Sequence, residues 1–322
     1  MSKPSHASPT PASRPRGWMK ALVRNAAGVS CLEKPVPEVA ADEEVLIKVS
    51  RAAICRTDVY AAQGLILVAD GRVLGHEFTG VVEVVGAAVS RFKTGDRVVV
   101  NPLLSCGICP ECSALRPHDC AHAGFLGIHQ DGAFAQWIVM HESQVYALPD
   151  EISDAVGAYA EPLAATMAIL DAGLPPRGKI AVTGVGRIAK LTHFILEDHG
   201  YSAELVSSQA GHESEFDAVV ETDLCSANAE VTLRMLRPGG LLVLKSRTPA
   251  ALFLPQLLCI TRRLRIQCVH YAAFDRAMGY LGRCAHKLAG FVGSEWSLDD
   301  HAQAFAAACA DEALKIYFKP NG

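Results

Sequence analysis

Short apolar runs broken by turn residues fill the chain from Met19 to about Asp150. Val45 to Val49, Val81 to Val85 and Arg97 to Val100 are β-branched and read as strands, with Gly95-Asp96 as one of the turns between them. The gaps are too short and irregular to hold alternating helices, so the pattern predicts a barrel-like antiparallel domain. From about Glu151 the texture changes. Asp154 to Ala172 is alanine-rich and helical, with a new helix expected to start at Pro162, where a missing N–H costs nothing. Lys179 to Thr183 reads as a buried strand, and the glycine turn Gly184-x-Gly186 leads into a helix ending at His199-Gly200. Strands at Ser202 to Ser207, Phe216 to Glu221, Leu241 to Lys245 and Leu264 to Val269 follow. A helix from about Ala227 to Leu236, closed by Pro238-Gly239-Gly240, lies among them. Strands alternating with helices predict a doubly wound parallel sheet over 151–269. After about His270 the chain is expected to rejoin the first domain, giving one domain over 18–150 plus 270–322 and ending in a strand from Leu314 to Phe318.

Composition narrows the partners. The chain has 322 residues, 50% of them hydrophobic and 20% charged, enough for two domains with full cores. Its 30 basic and 34 acidic residues give a net charge of −4, so nothing draws it electrostatically to nucleic acid or to an anionic membrane. No apolar run approaches the roughly 18 residues of a membrane span. Residues 1–17, with Ser, Pro and Ala around Lys3, Arg14 and Arg16, lack a secretory apolar core and read as a disordered tail. Eleven cysteines is an odd number, and those outside one cluster have no framework spacing, which fits reduced thiols in the cytoplasm. Small molecules are the expected partners.

That cluster is Cys106, Cys109, Cys112 and Cys120, with two, two and seven residues between successive members. Four thiolates at such spacing can close a tetrahedron around one Zn²⁺ with no position left for substrate, which makes the site structural. Two disulfides are the competing reading, disfavoured by the crowding of the cysteines and the absence of a secretory signal.

Outside the cluster, Cys55, His76, Glu77 and Glu161 are polar residues in apolar surroundings. Alone, Cys55 reads as core, His76 as hydrogen-bonded scaffolding and Glu161 as a helix-start residue matching the dipole. Together, a thiolate, an imidazole and a carboxylate form the mixed ligand set of an open catalytic zinc. Spacing does not decide between Glu77 and Glu161.

The order Cys55, Gly75-His76-Glu77, Gly95-Asp96-Arg97-Val98, Cys106 to Cys120, Asp131-Gly-Ala-Phe134, Glu161-Pro162-Leu163-Ala164 and Gly184-x-Gly186 resembles the zinc-dependent medium-chain alcohol dehydrogenases. It is closest to the polyol and threonine branch. The resemblance implies an α/β protein: a GroES-like β-rich catalytic domain plus a Rossmann domain, exchanging hydride between an alcohol or polyol and NAD or NADP. It further implies Cys55 and His76 on a catalytic zinc with Glu77 and Glu161 as alternating or additional ligands, and Thr57 accepting the hydrogen bond of the substrate oxygen. Arg56 would lie on the cofactor pyrophosphate, a pairing that suits its fork, although a solvated surface charge is an equal reading. Pairing of sheets through Leu264 to Val269 would give a homodimer or homotetramer.

Three departures qualify the resemblance. Tyr60 stands where a proton-shuttling His is common, and a phenol near pKa 10 is a poor shuttle at neutral pH. The cofactor turn, Gly184, Val185 and Gly186, ends in Ala189, which close helix–strand packing permits. The second strand ends in Ser207-Ser208-Gln209, with no carboxylate for the ribose hydroxyls and no arginine for a 2′-phosphate, so NAD versus NADP is open. The short link to Phe216 implies that the sheet has lost an edge strand on the adenosine side, with weaker cofactor binding. A catalytically reduced relative that binds a ligand or partner is therefore the alternative to an active dehydrogenase.

Overall fold

The computed structural model describes residues 15, 17–207, 209, 211–310 and 314–322. Most of the expected N-terminal tail, with Lys3, Arg14 and Arg16, lies outside them, as does Ser208.

Strand Glu44–Ala53 organises the first unit, burying Val45, Leu46, Ile47 and Val49 while Lys48 faces solvent. It pairs antiparallel with Glu77–Val85, and the pairing ends with Ala53 opposite Glu77. Cys55, two residues beyond one strand, and His76, one residue before the other, therefore emerge at the same end of the sheet. Lys315–Phe318 lines up on the other side of the same strand, with Tyr317 opposite Ala53, which brings Lys315 to that end as well. Arg97–Val100, Val145–Ala147, Trp137–His141 and Val292–Trp296 complete the seven-stranded sheet, whose pairings are antiparallel except that of Val292–Trp296 with Lys315–Phe318.

The second unit is a five-stranded parallel sheet in the order Ser202–Val206, Lys179–Thr183, Phe216–Glu221, Leu236–Leu244, Arg265–Cys268. In the doubly wound order 3-2-1-4-5-6, this is 2-1-4-5-6. Among the described residues no strand lies outside Ser202–Val206, as the short link to Phe216 implied.

Two sequence expectations are corrected. The helix carrying Glu161 begins at Ala160, so Glu161 and Pro162 both sit in its first turn, where backbone N–H groups have no intrahelical acceptor and the missing N–H of Pro162 costs nothing. Pro238-Gly239-Gly240 does not close a helix: it lies inside strand Leu236–Leu244, and the preceding helix is only Ala229–Arg234. The pairing slips in register between Phe216 and Ala218, and Gly239 at φ +80° takes up the irregularity.

Helix Phe274–Leu288 packs along helix Ala160–Met167 before the chain returns to the first sheet through Val292–Trp296. One apolar cluster runs through both units, joining Ala53, Val99 and Tyr317 to Tyr159, Leu163 and Tyr280. The cleft between the units is thus framed by a continuous core.

Candidate active site

Cys55 caps the short helix Arg56–Ala62, and the fully buried Asp58 in that helix holds the local geometry. One Asp58 carboxylate oxygen accepts the Cys55 N–H at 2.9 Å; the other accepts the Gly75 N–H at 3.1 Å and lies 3.4 Å from His76 Nδ1. A carboxylate on Nδ1 orients an imidazole so that Nε2 is basic and available to a metal. Burial disfavours a charged imidazole, but the Asp58 carboxylate and the Cys55 thiol outweigh it and hold His76 well above the usual histidine range. Gly75 makes the approach possible: at φ +96°, a Cβ there would lie 2.4 Å from the Phe134 ring.

Ligand atoms of Cys55, His76 and Glu77 lie within 4.8 Å of one another. Glu77 is fully buried and paired with the equally buried Lys315. Burial and the neighbouring Glu161 push its carboxyl up, against the pull of Lys315. Glu161 is outside that three-residue group and is hydrogen-bonded by the Tyr271 hydroxyl. A thiol, an imidazole and a carboxylate converging this closely can hold Zn²⁺ and leave a position open.

The four clustered cysteines also converge within 4.8 Å. Sγ of Cys120 is 3.8 Å from that of Cys109 and 3.6 Å from that of Cys106. Disulfide sulfurs sit about 2.05 Å apart, whereas four sulfurs ~2.3 Å from one zinc are about 3.8 Å apart. The spacing therefore fits a shared ion. Backbone N–H groups of Ile108 and Cys109 hold the Cys106 thiol down to about 6, as a metal thiolate requires.

Cys55, Glu77 and Glu161 line one end of a cleft of about 410 Å³, with Thr57 and Tyr60 beside them. Arg56, Val185, Gly186 and Ala189 line it too. Gly184, at φ +116°, has no room for a side chain, because a Cβ would meet Thr222 Oγ1 at 2.3 Å. Gly186 caps helix Arg187–Asp198, whose N-terminal N–H groups suit a diphosphate. Ser207 is exposed at the end of its strand, outside this lining.

The alcohol dehydrogenase GroES-like domain matches residues 41–150. The chain is 39% identical over 180 residues to the L-threonine 3-dehydrogenase of Anaeromyxobacter sp. (strain Fw109-5), covering 53% of this chain and 51% of that one. It is 35% identical over 187 residues to the sorbitol dehydrogenase of Halalkalibacterium halodurans, covering 56% of this chain and 54% of that one. Residues 41–150 thus match an alcohol dehydrogenase GroES-like domain, and the relatives that the chain resembles are threonine and polyol dehydrogenases. The matches span about half the length of these relatives. The fold extends further: the 2R,3R-butanediol dehydrogenase of Bacillus subtilis superposes with a TM-score of 0.81 at 23% identity, over 94% of this chain and 100% of that one.

Sequence reasoning missed Asp58, Lys315, Tyr271, Lys245 and Arg247. Asp58 had a signal, because an acid three residues after a helix-capping position closes a capping box. Lys245 had one too, as a cation breaking the apolar run Leu241 to Leu244. Lys315 and Tyr271 reach the site through long-range pairing that no local pattern records.

Proposed function

We propose that the protein transfers hydride between an alcohol or polyol and NAD or NADP, with one catalytic and one structural zinc. The observation that carries this reading is the convergence of Cys55, His76 and Glu77, of which Cys55 and Glu77 line a cleft that Val185 and Gly186 also line. Zinc bound there would lower the pKa of the alcohol near neutral pH. Thr57 would accept the hydrogen bond of the substrate hydroxyl and pass its proton outward, and Arg56 with the helix N-terminus at Gly186 would bind the pyrophosphate. Asp58 would keep His76 in the binding tautomer. The test is reduction of NAD⁺ or NADP⁺, followed at 340 nm, by zinc-loaded protein offered a panel of alcohols and polyols. Silence across the panel with no cofactor binding would favour the catalytically reduced reading.

The five-stranded sheet supports weakened cofactor binding, since the adenosine side lacks its outer strand. NADH fluorescence titration is expected to give a Kd of about 0.1 mM or weaker, no more than about 5.5 kcal/mol of binding. Low-micromolar affinity would contradict it.

Strand Arg265–Cys268 is exposed along its whole length at the sheet edge. In the helix Gln256–Thr261 that precedes it in the chain, Leu257 is 75% and Ile260 62% exposed. These features support pairing of two copies through this edge, although Arg263 and Arg265 also suit a solvated one. Light scattering should find a dimer that Leu257→Glu with Ile266→Glu converts to monomer. A wild-type monomer at micromolar concentration would remove the proposal. No helix among the described residues is long and apolar enough to cross a membrane. All eleven cysteines are free, which supports a reducing, cytoplasmic setting.

A further inference from the structure

Strand Leu236–Leu244 ends by delivering two cations into the cleft, Lys245 directly after it and Arg247 two residues on. Their segment is fixed by the buried Glu221 at the end of the adjacent strand. One Glu221 oxygen accepts the Lys245 and Ser246 N–H groups at 2.6 and 2.8 Å, and the other accepts the Leu224 N–H at 2.9 Å. Arg247 is held in place as well. Its guanidinium lies 4.4 Å over the Tyr271 ring, donates to the Tyr271 hydroxyl at 2.9 Å and to the His270 carbonyl at 2.8 Å.

Lys245 differs. Its half-buried ammonium has no hydrogen-bond or ion-pair partner among the described residues. Burial and the neighbouring Arg247 push its pKa down to about 8. Two like charges held together away from bulk water are costly, and the carboxylates of Glu161 and Glu221 offset only part of that cost for Lys245, so a further negative charge from a ligand would be welcomed there. The cofactor phosphates are not the obvious source, because in the proposed function the Gly186 helix N-terminus and Arg56 would serve them. Both Lys245 and Arg247 instead feel the charges of Cys55 and Glu161, at the reactive end of the cleft.

We infer that Lys245 and Arg247 form an anion subsite beside Cys55, His76 and Glu77, and that the substrate is a small hydroxy acid whose carboxylate they receive. The inference names the substrate of the proposed dehydrogenase and rests on that reading for its chemistry. The carbinol C–H bond breaks with its electron pair going to NAD(P)⁺, the hydroxyl proton leaves by way of Thr57, and the C–O bond becomes the carbonyl of a keto acid. NAD(P)H and one proton are the other products. Lys245 and Arg247 orient the acid; they take no part in the bond changes.

Two arms test this on zinc-loaded protein. In calorimetry, 2-hydroxy-2-methylpropanoate has the hydroxyl and carboxylate but no carbinol hydrogen, and its amide is the neutral counterpart. The acid is expected to bind at least tenfold more tightly than the amide. Lys245→Met should erase that preference, and Lys245→Arg should keep it. In turnover, the ratio of kcat/KM for hydroxy acids to that for neutral alcohols should fall at least tenfold in Lys245→Met. Equal binding of acid and amide, or a preference that survives Lys245→Met and so reflects chelation by zinc alone, would overturn the subsite. Inorganic phosphate displacing the acid at lower concentration than a simple carboxylate does would overturn the carboxylate assignment. An acid preference lost in Lys245→Met, with no turnover of any alcohol, would uphold the subsite and defeat the dehydrogenase reading. Turnover of neutral alcohols without any acid preference would do the reverse.

Discussion

Replacing Cys55 by alanine should remove one of two zinc equivalents and lower turnover at least about a thousandfold, roughly 4 kcal/mol of barrier, with the fold intact. Cys55 is half-buried, and its thiol's contact with the Thr57 hydroxyl is long, at 3.9 Å, so the packing loses little. The Asp58 bond that shapes this turn goes to the Cys55 backbone and survives the substitution. What disappears is the soft donor facing His76 and Glu77. Metal analysis by mass spectrometry together with the 340 nm assay checks both halves. Two zinc equivalents retained in the variant, or turnover within tenfold of wild type, would show that the three side chains do not hold a catalytic ion.

The second large effect falls on stability. Lys315→Met should destabilise the protein by about 3–5 kcal/mol, the usual cost of stranding one member of a buried ion pair. Lys315 and Glu77 are each 1% exposed, and the lysine ammonium lies 5.7 Å over the Tyr159 ring, so neither charge can turn to water. Burial and Glu161 already work against an ionised Glu77, and removing the lysine leaves that opposition unanswered. Urea denaturation at pH 8 gives the loss directly. The double variant Lys315→Met with Glu77→Gln should recover much of it, because a neutral amide has no charge to strand. A double variant as unstable as the single one would mean that the loss comes from packing around Tyr159 rather than from charge.

What the sequence disclosed follows distance along the chain. The cysteine cluster was legible because all its ligands lie on one short excursion, and Arg97–Val100, Lys179–Thr183 and Phe216–Glu221 were legible because each is a β-branched run bounded by turn residues. Even the missing strand could be read, since nine residues from Ser207 to Glu215 leave no space for another helix and strand. Pro238-Gly239-Gly240 misled because those residues usually end an element, whereas here a register slip absorbs them within a strand. The residues around the ligand set stayed hidden for a different reason. Lys315 meets Glu77 only because a strand from the far end of the chain pairs with Ala52 and Ala53. Tyr271 meets Glu161 across 110 positions.

The absent outer strand leaves Ser202–Val206 as a bare margin of the parallel sheet, with Leu205 43% exposed. Unclaimed backbone donors and acceptors of this kind template aggregation when a margin is long and flat. This one is five residues long, and it places Glu204 beside Lys179 at 3.3 Å. An incoming peptide strand would have to bury that charged pair for little ladder in return, so trimming the nucleotide-binding half need not have made the protein prone to fibre formation.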